Sequence, residues 1–165
     1  MINNSNPPLL YGSFVDRWLR IGGQLEPYSD NGNTLGSSTR RWTAVYAVNG
    51  TIQTSDARFK TNIIGLTYGL ESILRLKPVS FIWKESSDSR THLGLIAQDV
   101  EKVIGEVIDK GNDSLQTLGI NYSELVPVLI RGMQEQQQQI ESQNQKIDRL
   151  EKMISEMKME IASSR

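Results

Sequence analysis

Ser55 and Lys60 stand five positions apart in the stretch TIQTSDARFKTNI, residues 51–63. A serine hydroxyl becomes a nucleophile when a base takes its proton, and a lysine is such a base once its ammonium is destabilised. Burial or nearby positive charge does that; Arg58 would add the second effect and Asp56 would oppose it. Five residues of extended chain span roughly 16 Å, whereas proton transfer needs contact near ~3 Å. The chain must therefore fold back between the two, or a neighbouring subunit must supply the lysine. On the residues alone a charged surface turn is the default reading, because composition alone produces such pairs.

Other chemistry-bearing residues are sparse. His92 is the single histidine and starts an expected strand beside Thr91, with no acid at ligand spacing. It reads as structural or surface, and no metal site and no cofactor are expected. Trp18, Trp42 and Trp83 read as core or subunit-interface residues rather than as a sugar-binding platform. Gln98 and Asp99 in GLIAQDVE suggest a polar site, but helix capping by Asp99 or its neighbours explains them as well.

The chain has 165 residues and a net charge of −1, enough for one small globular domain plus an extended element. Near-neutral charge gives no case for nucleic acid as a partner, since phosphate binding needs a basic excess. Without cysteine there are no disulfides and no thiolate metal sites. No run resembles a signal peptide and no apolar stretch is long enough for a membrane span, so a soluble protein is expected. The polar lead MINNSNPPLL suits a boundary inside a longer chain.

Three textures follow one another. Residues 1–54 are rich in Gly, Asn, Ser and Thr, with short apolar bursts in FVDRWLRIGG, RRWTAVYAVNG and TIQT. Turn signals in SDNGN and LGSS separate them, the pattern of short strands and tight turns. Too few apolar residues lie here to bury a core within one chain, so partner chains complete the strands or the segment stays partly disordered. Residues 55–122 read as a compact α+β unit. GLESILRLK spaces Leu70, Ile73, Leu74 and Lys77 as a helix that Pro78 ends. VSFIWK and THLGLIA form a hairpin around the polar loop ESSDSR. QDVEKVIGEVI puts Val100, Val103 and Ile104 on one helical face, with Gly105 as its stop. VIDK and LQTLGI add two short strands around GND.

From Asn121 the pattern is helical to the end. Asn121 with Glu124 resembles a capping box, and Pro127 lies slightly deeper than the first-turn position, so local bending is expected. Val126, Met133, Ile140, Ile147, Ile154 and Ile161 then recur every seven residues. Leu129, Gln136, Gln143, Leu150 and Met157 follow three residues after each. This is a heptad repeat with mostly β-branched residues at a and two successive polar layers at d. One narrow apolar seam on a lone helix stays in water, so the helix calls for company. Glutamines at d favour a three-fold ring of mutual hydrogen bonds; a dimer, or a helix folded back on its own domain, are the alternatives. Outside Gln136 and Gln143, the tract QEQQQQIESQNQ reads as a solvated face.

Taken in order, TSDARFKTNI, GLESILRLKPVSFIWK, HLGLIAQDVEKVIGEV, LGINYSELVPVLIRGM and the heptad helix resemble the endosialidase-type intramolecular chaperone domain. That domain ends many bacteriophage tail spikes, tail fibres and neck appendages. The upstream LEPYSDNGNTLGSSTRRWTAVYAVNGTIQ is similar to the segment that commonly precedes it. The resemblance implies an α+β fold with short strands and helices in a small core, a β-rich N-terminal fibre end, and a long C-terminal helix in a trimeric coiled coil. It implies a division into a fibre end (1–54), a chaperone and self-processing core (55–122) and the coiled-coil helix (123–165). It also implies a homotrimer that assists folding of the upstream fibre segment and then releases itself. Ser55 would be the nucleophile, Lys60 the base and Thr54–Ser55 the scissile bond, with Asp56 and Arg58 in positioning roles. The expected setting is a virion tail or appendage precursor assembled in the host cytoplasm. The rival reading is a non-catalytic trimerisation and capping module that stays attached.

Overall fold

The computed structural model describes residues 10–13, 15–84 and 89–164. The chain divides between Trp42 and Thr43 into two compact units.

In the first unit, β1 (Leu10–Ser13) pairs antiparallel with β2 (Trp18–Ile21), Leu10 opposite Ile21 and Ser13 opposite Trp18. The Ser13 hydroxyl donates to Asp16 Oδ2 at 2.8 Å and accepts from the Asp16 amide at 3.0 Å, closing the connection with Arg17 at φ 57°. Both foreseen turns are present. Gly32 N–H donates to Ser29 C=O, with Asn31 at φ 54°. Gly36 at φ 90° leads into reciprocal bonds between Ser37 and Arg40, a backbone setting that glycine takes without strain. The foreseen strands in RRWTAVYAVNG and TIQT do not form: residues 41–54 carry no strand. Tyr46, Val48 and Ile52 are almost fully exposed. A strand needs a neighbour for its amides, and this segment finds none among the described residues.

The second unit has a small core. Val100, Ile104, Val107, Leu125 and Val128 are buried, flanked by Tyr68, Ile73, Leu76, Leu95, Val103, Ile108 and Ile120. Around it run α1 (Leu70–Arg75), β3 (Val79–Phe81), β4 (His92–Gly94), α2 (Ala97–Glu101), β5 (Ile108–Lys110), β6 (Leu118–Ile120) and α3 (Leu125–Ser163). Helix α1 stops at Arg75, so Lys77, foreseen as part of it, lies outside; Leu76 is already extended at ψ 145°, and the ring of Pro78 disfavours helix at Lys77 itself. The foreseen hairpin forms, Val79 opposite Gly94, and the two short strands foreseen around GND pair as well, Ile108 opposite Ile120. Residues 85–88 of the foreseen loop ESSDSR lie outside the described residues. Gly94 passes beneath Phe81 and Tyr122, where a Cβ would meet the phenol oxygen at 2.9 Å.

Three local expectations are corrected. The helix foreseen over QDVEKVIGEVI is short: α2 ends at Glu101, and Gly105 opens a separate 3-10 turn, Gly105–Val107, rather than stopping the helix. The foreseen face nonetheless points inward, since Val100 and Ile104 are buried and Val103 packs against them. The capping box is not made. Asn121 makes no side-chain bond to the helix start; a 3-10 turn, Tyr122–Glu124, intervenes before α3 begins at Leu125. Pro127 therefore falls in the first turn of α3, where its missing N–H forfeits no bond. Asp99 caps nothing either, because the residue before α2 is Ile96; Asp99 lies in the first turn and pairs with Lys102 at 3.2 Å.

Only the first third of α3 touches the core, through Leu125, Val128 and Gly132. At Gly132 a Cβ would collide with Ile73 Cδ1 and lie 3.4 Å from the Leu70 backbone. Gly132→Leu should destabilise this unit by about 1–3 kcal/mol through overpacking, read as a lower denaturant midpoint. One turn on, Glu135 accepts the first amide of α1, Leu70 N–H, at 2.8 Å, and Arg131 Nε–H at 2.8 Å. These bonds, the Leu70 amide foremost, hold the Glu135 carboxyl below the ordinary glutamate range. A carboxyl depressed in the folded state stabilises above its unfolded pKa, and the contribution fades as pH falls. Glu135→Gln should therefore lower the thermal midpoint at about pH 7, and the gap should narrow as pH falls below the ordinary glutamate range.

Candidate functional site

The fold-back that a Ser55–Lys60 contact requires is made by one 3-10 turn, Ala57–Phe59. Asp56 drives it. Its Oδ1 accepts the Arg58 amide at 2.9 Å, a side-chain cap on the turn, while Phe59 and Lys60 amides reach the carbonyls of Asp56 and Ala57 at 3.1 Å each. Short acidic side chains favour this local capping. The same carboxylate grips the Arg58 guanidinium, Nε at 3.0 Å and a terminal nitrogen at 2.6 Å from Oδ2. The guanidinium beside it holds the Asp56 carboxyl below its usual range, and Asp56 raises Arg58 in turn. Arg58 thus spends its charge on Asp56, which tempers the influence on Lys60 expected of it.

The turn brings Lys60 Nζ to 2.7 Å from Ser55 Oγ, donating to it. This is within proton-transfer distance. Both side chains are exposed in the single chain, as is Thr54. Before the turn, Gln53 meets the segment that leads into α3. The Ser123 hydroxyl, in the 3-10 turn leading into α3, shares its one proton between Asn121 Oδ1 at 2.6 Å and Gln53 Oε1 at 3.2 Å. Sequence reasoning missed Ser123 and Gln53, which are 70 positions apart and carry no shared motif.

The remaining candidates lie elsewhere. His92 is half-buried, its ring stacked on Phe81 at 5.7 Å. Trp83 packs edge-on to Phe81 at 5.1 Å yet stays 54% exposed. Trp18, beneath the Arg20 guanidinium at 4.9 Å, and Trp42 are also open to solvent, so none of the three tryptophans is a core residue of the single chain. Gln98 and Asp99 are exposed on α2. Among the described residues no three His, Asp or Glu side chains converge as metal ligands, and no helix is long and apolar enough to cross a membrane. The seam residues Val126, Leu129, Met133, Gln136, Ile140, Gln143, Ile147, Leu150, Ile154, Met157 and Ile161 all lie on α3 and are all exposed in the single chain.

Residues 55–109 match a peptidase family model described as chaperone of endosialidase, the match starting at Ser55 itself. The side tail fiber protein pb1 of Escherichia phage T5 is 40% identical over 95 residues, covering 52% of this chain. The chain spans about 7% of that protein's length. Over residues 55–109, a third of its length, the chain is similar to the endosialidase-chaperone family.

Proposed function

We propose that this chain is an intramolecular chaperone that trimerises a phage fibre, assists its folding, and then cuts itself free between Thr54 and Ser55. The observation that carries the reading is the 2.7 Å approach of Lys60 Nζ to Ser55 Oγ, at the residue where the family match begins. On this reading residues 1–54 end the fibre, 55–122 form the processing core and 123–165 the coiled coil.

The chemistry balances as a hydrolysis. Neutral Lys60 takes the Ser55 hydroxyl proton, and Ser55 Oγ adds to the Thr54 carbonyl carbon. The C–N bond then breaks, and the Ser55 nitrogen leaves as an amine with the proton that Lys60 returns. The Thr54 acyl group is now an ester on Ser55 Oγ. Water, deprotonated by Lys60, cleaves it to a Thr54 carboxylate and restores the hydroxyl. The amides of Arg58, Phe59 and Lys60 already have acceptors, so the oxyanion donors expected at this bend narrow to the amides of Asp56 and Ala57.

A lysine takes a serine proton only when water is kept from its own charge, and both groups are exposed in the single chain. Neighbouring chains must cover the turn, so cutting waits for assembly. The coiled coil gathers three fibre ends at high local concentration and speeds a slow search for non-local strand pairs. Loss of the clamp then leaves a wound product that is trapped kinetically. The setting is a tail or appendage precursor assembled in the host cytoplasm.

That same exposure favours a second reading, a trimerising cap that is never cut. Mass spectrometry of freshly folded protein separates the two. Fragments ending at Thr54 and starting at Ser55, with a trimeric mass by sedimentation, are expected. A trimer of intact chains favours the cap, and an intact monomer overturns both.

A further inference from the structure

We propose that Ser123 is a positioning residue for the cut, holding Gln53 so that the acyl side of the Thr54–Ser55 bond is fixed. The inference rests on the self-cleavage reading above. The two sides of that bond are held by different parts of the unit. On the amine side, the Asp56–Arg58 turn fixes Ser55 against Lys60. On the acyl side, residues 43–54 form no helix or strand that could hold Thr54. Gln53, immediately before Thr54, is instead tied through Ser123 and Asn121 to the core. The Asn121 amide donates at 2.8 Å to the carbonyl of buried Val107. Asn121 Oδ1 orients the Ser123 hydroxyl at 2.6 Å, and that hydroxyl reaches Gln53 Oε1 at 3.2 Å.

Attack on a carbonyl demands that the acyl carbon stay near the nucleophile, and small misplacements are costly. A tether one residue away from Thr54 restricts it. The tether also has a direction. Ser123 sits in the turn that runs into α3, three residues before the first seam position, Val126. Ordering of the seam by association would therefore be felt at Gln53. Assembly and cutting are coupled by this contact as well as by covering of the dyad.

The test is a time course of self-cleavage in the full chain, with wild type beside Ser123→Ala, Ser123→Thr, Gln53→Ala and the double alanine variant. Ser123→Ala and Gln53→Ala should each slow cutting roughly five- to tenfold, the value of one hydrogen bond. The double variant should be no slower than either single one, and Ser123→Thr should cut at close to the wild-type rate. Thermal midpoints and sedimentation should be unchanged, which separates positioning from a folding defect. In uncut Ser55→Ala protein, the Gln53 side-chain amide resonances should be dispersed, and adding Ser123→Ala should move them to random-coil positions. A wild type that stays whole overturns the cleavage reading together with this one. A wild type that cuts, with Ser123→Ala equally fast or Gln53 resonances unmoved, overturns the tether alone.

Discussion

On the proposed self-cleavage, Ser55→Ala should leave the chain whole, and Lys60→Ala should do the same, where the wild type is expected to separate after Thr54. The loss should be at least about 10³-fold, since a nucleophile has no substitute and a positioned base alone contributes roughly 10²–10⁴. Lys60→Arg should be as inert as alanine despite keeping the charge, because a guanidinium does not release its proton to act as a base. This variant separates base chemistry from a role in charge balance. The double variant Ser55→Ala with Lys60→Ala should be no worse than either single one, as groups that act in one step do not add. Asp56→Ala probes the scaffold: it removes the cap on the Arg58 amide and the guanidinium clamp together. Cutting should then slow about tenfold without stopping, because the loosened turn still samples the 2.7 Å contact. Intact masses on a denaturing separation report all of these. Cleavage after Thr54 that persists in Ser55→Ala would show that another group attacks.

How much of this was legible depended on how local each cause is. Pro78 announced that α1 must stop before it, and short apolar runs beside turn signals announced one hairpin and the two strands that pair around GND. The Ser55–Lys60 spacing could only pose a question in residue terms, because proximity depends on whether the chain turns. The answer lay in Asp56, whose side chain caps the turn, although the residues themselves had suggested for it only an effect on the lysine's charge. The α2 helix was misjudged for a related reason. Val100 and Ile104 keep helical spacing through one bonded turn, and the burial pattern of a longer helix looks the same from sequence. The strands foreseen at 41–54 failed on partners rather than propensity, since a strand is a property of two segments. Nothing local signals that Glu135 holds the Leu70 amide or that Ser123 reaches Gln53, 65 and 70 positions away. Such contacts exist only once the fold has brought the elements together.

Ile147→Asp should turn the proposed trimer into monomers, and the reason lies in where α3 touches its own core. Contact ends near Glu135, so Ile147, three turns further on, has no packing role within one chain and is 50% exposed there. In a three-fold coil it would be an a-position knob facing the axis, with its two copies close by. Burying each isoleucine contributes about 1.5–3 kcal/mol. The substitution removes that three times and sets three carboxylates together in a dry seam, at several kcal/mol per ion. No surface pairing along the helix, at about 0.3–0.5 kcal/mol per pair, offsets this. Sedimentation should give the monomer mass. The helical signal should fall as well, because the distal helix without its seam is marginal in water. The core around Val100 and Ile104 should keep its thermal transition. Gln143→Leu works the opposite way: it exchanges a polar layer for an apolar one, so the melting temperature should rise while preference for three strands relaxes. An Ile147→Asp chain that sediments with wild type would place the seam elsewhere on α3. The same variant carries the assembly requirement to the dyad, since a monomer with Ser55 and Lys60 untouched should remain uncut.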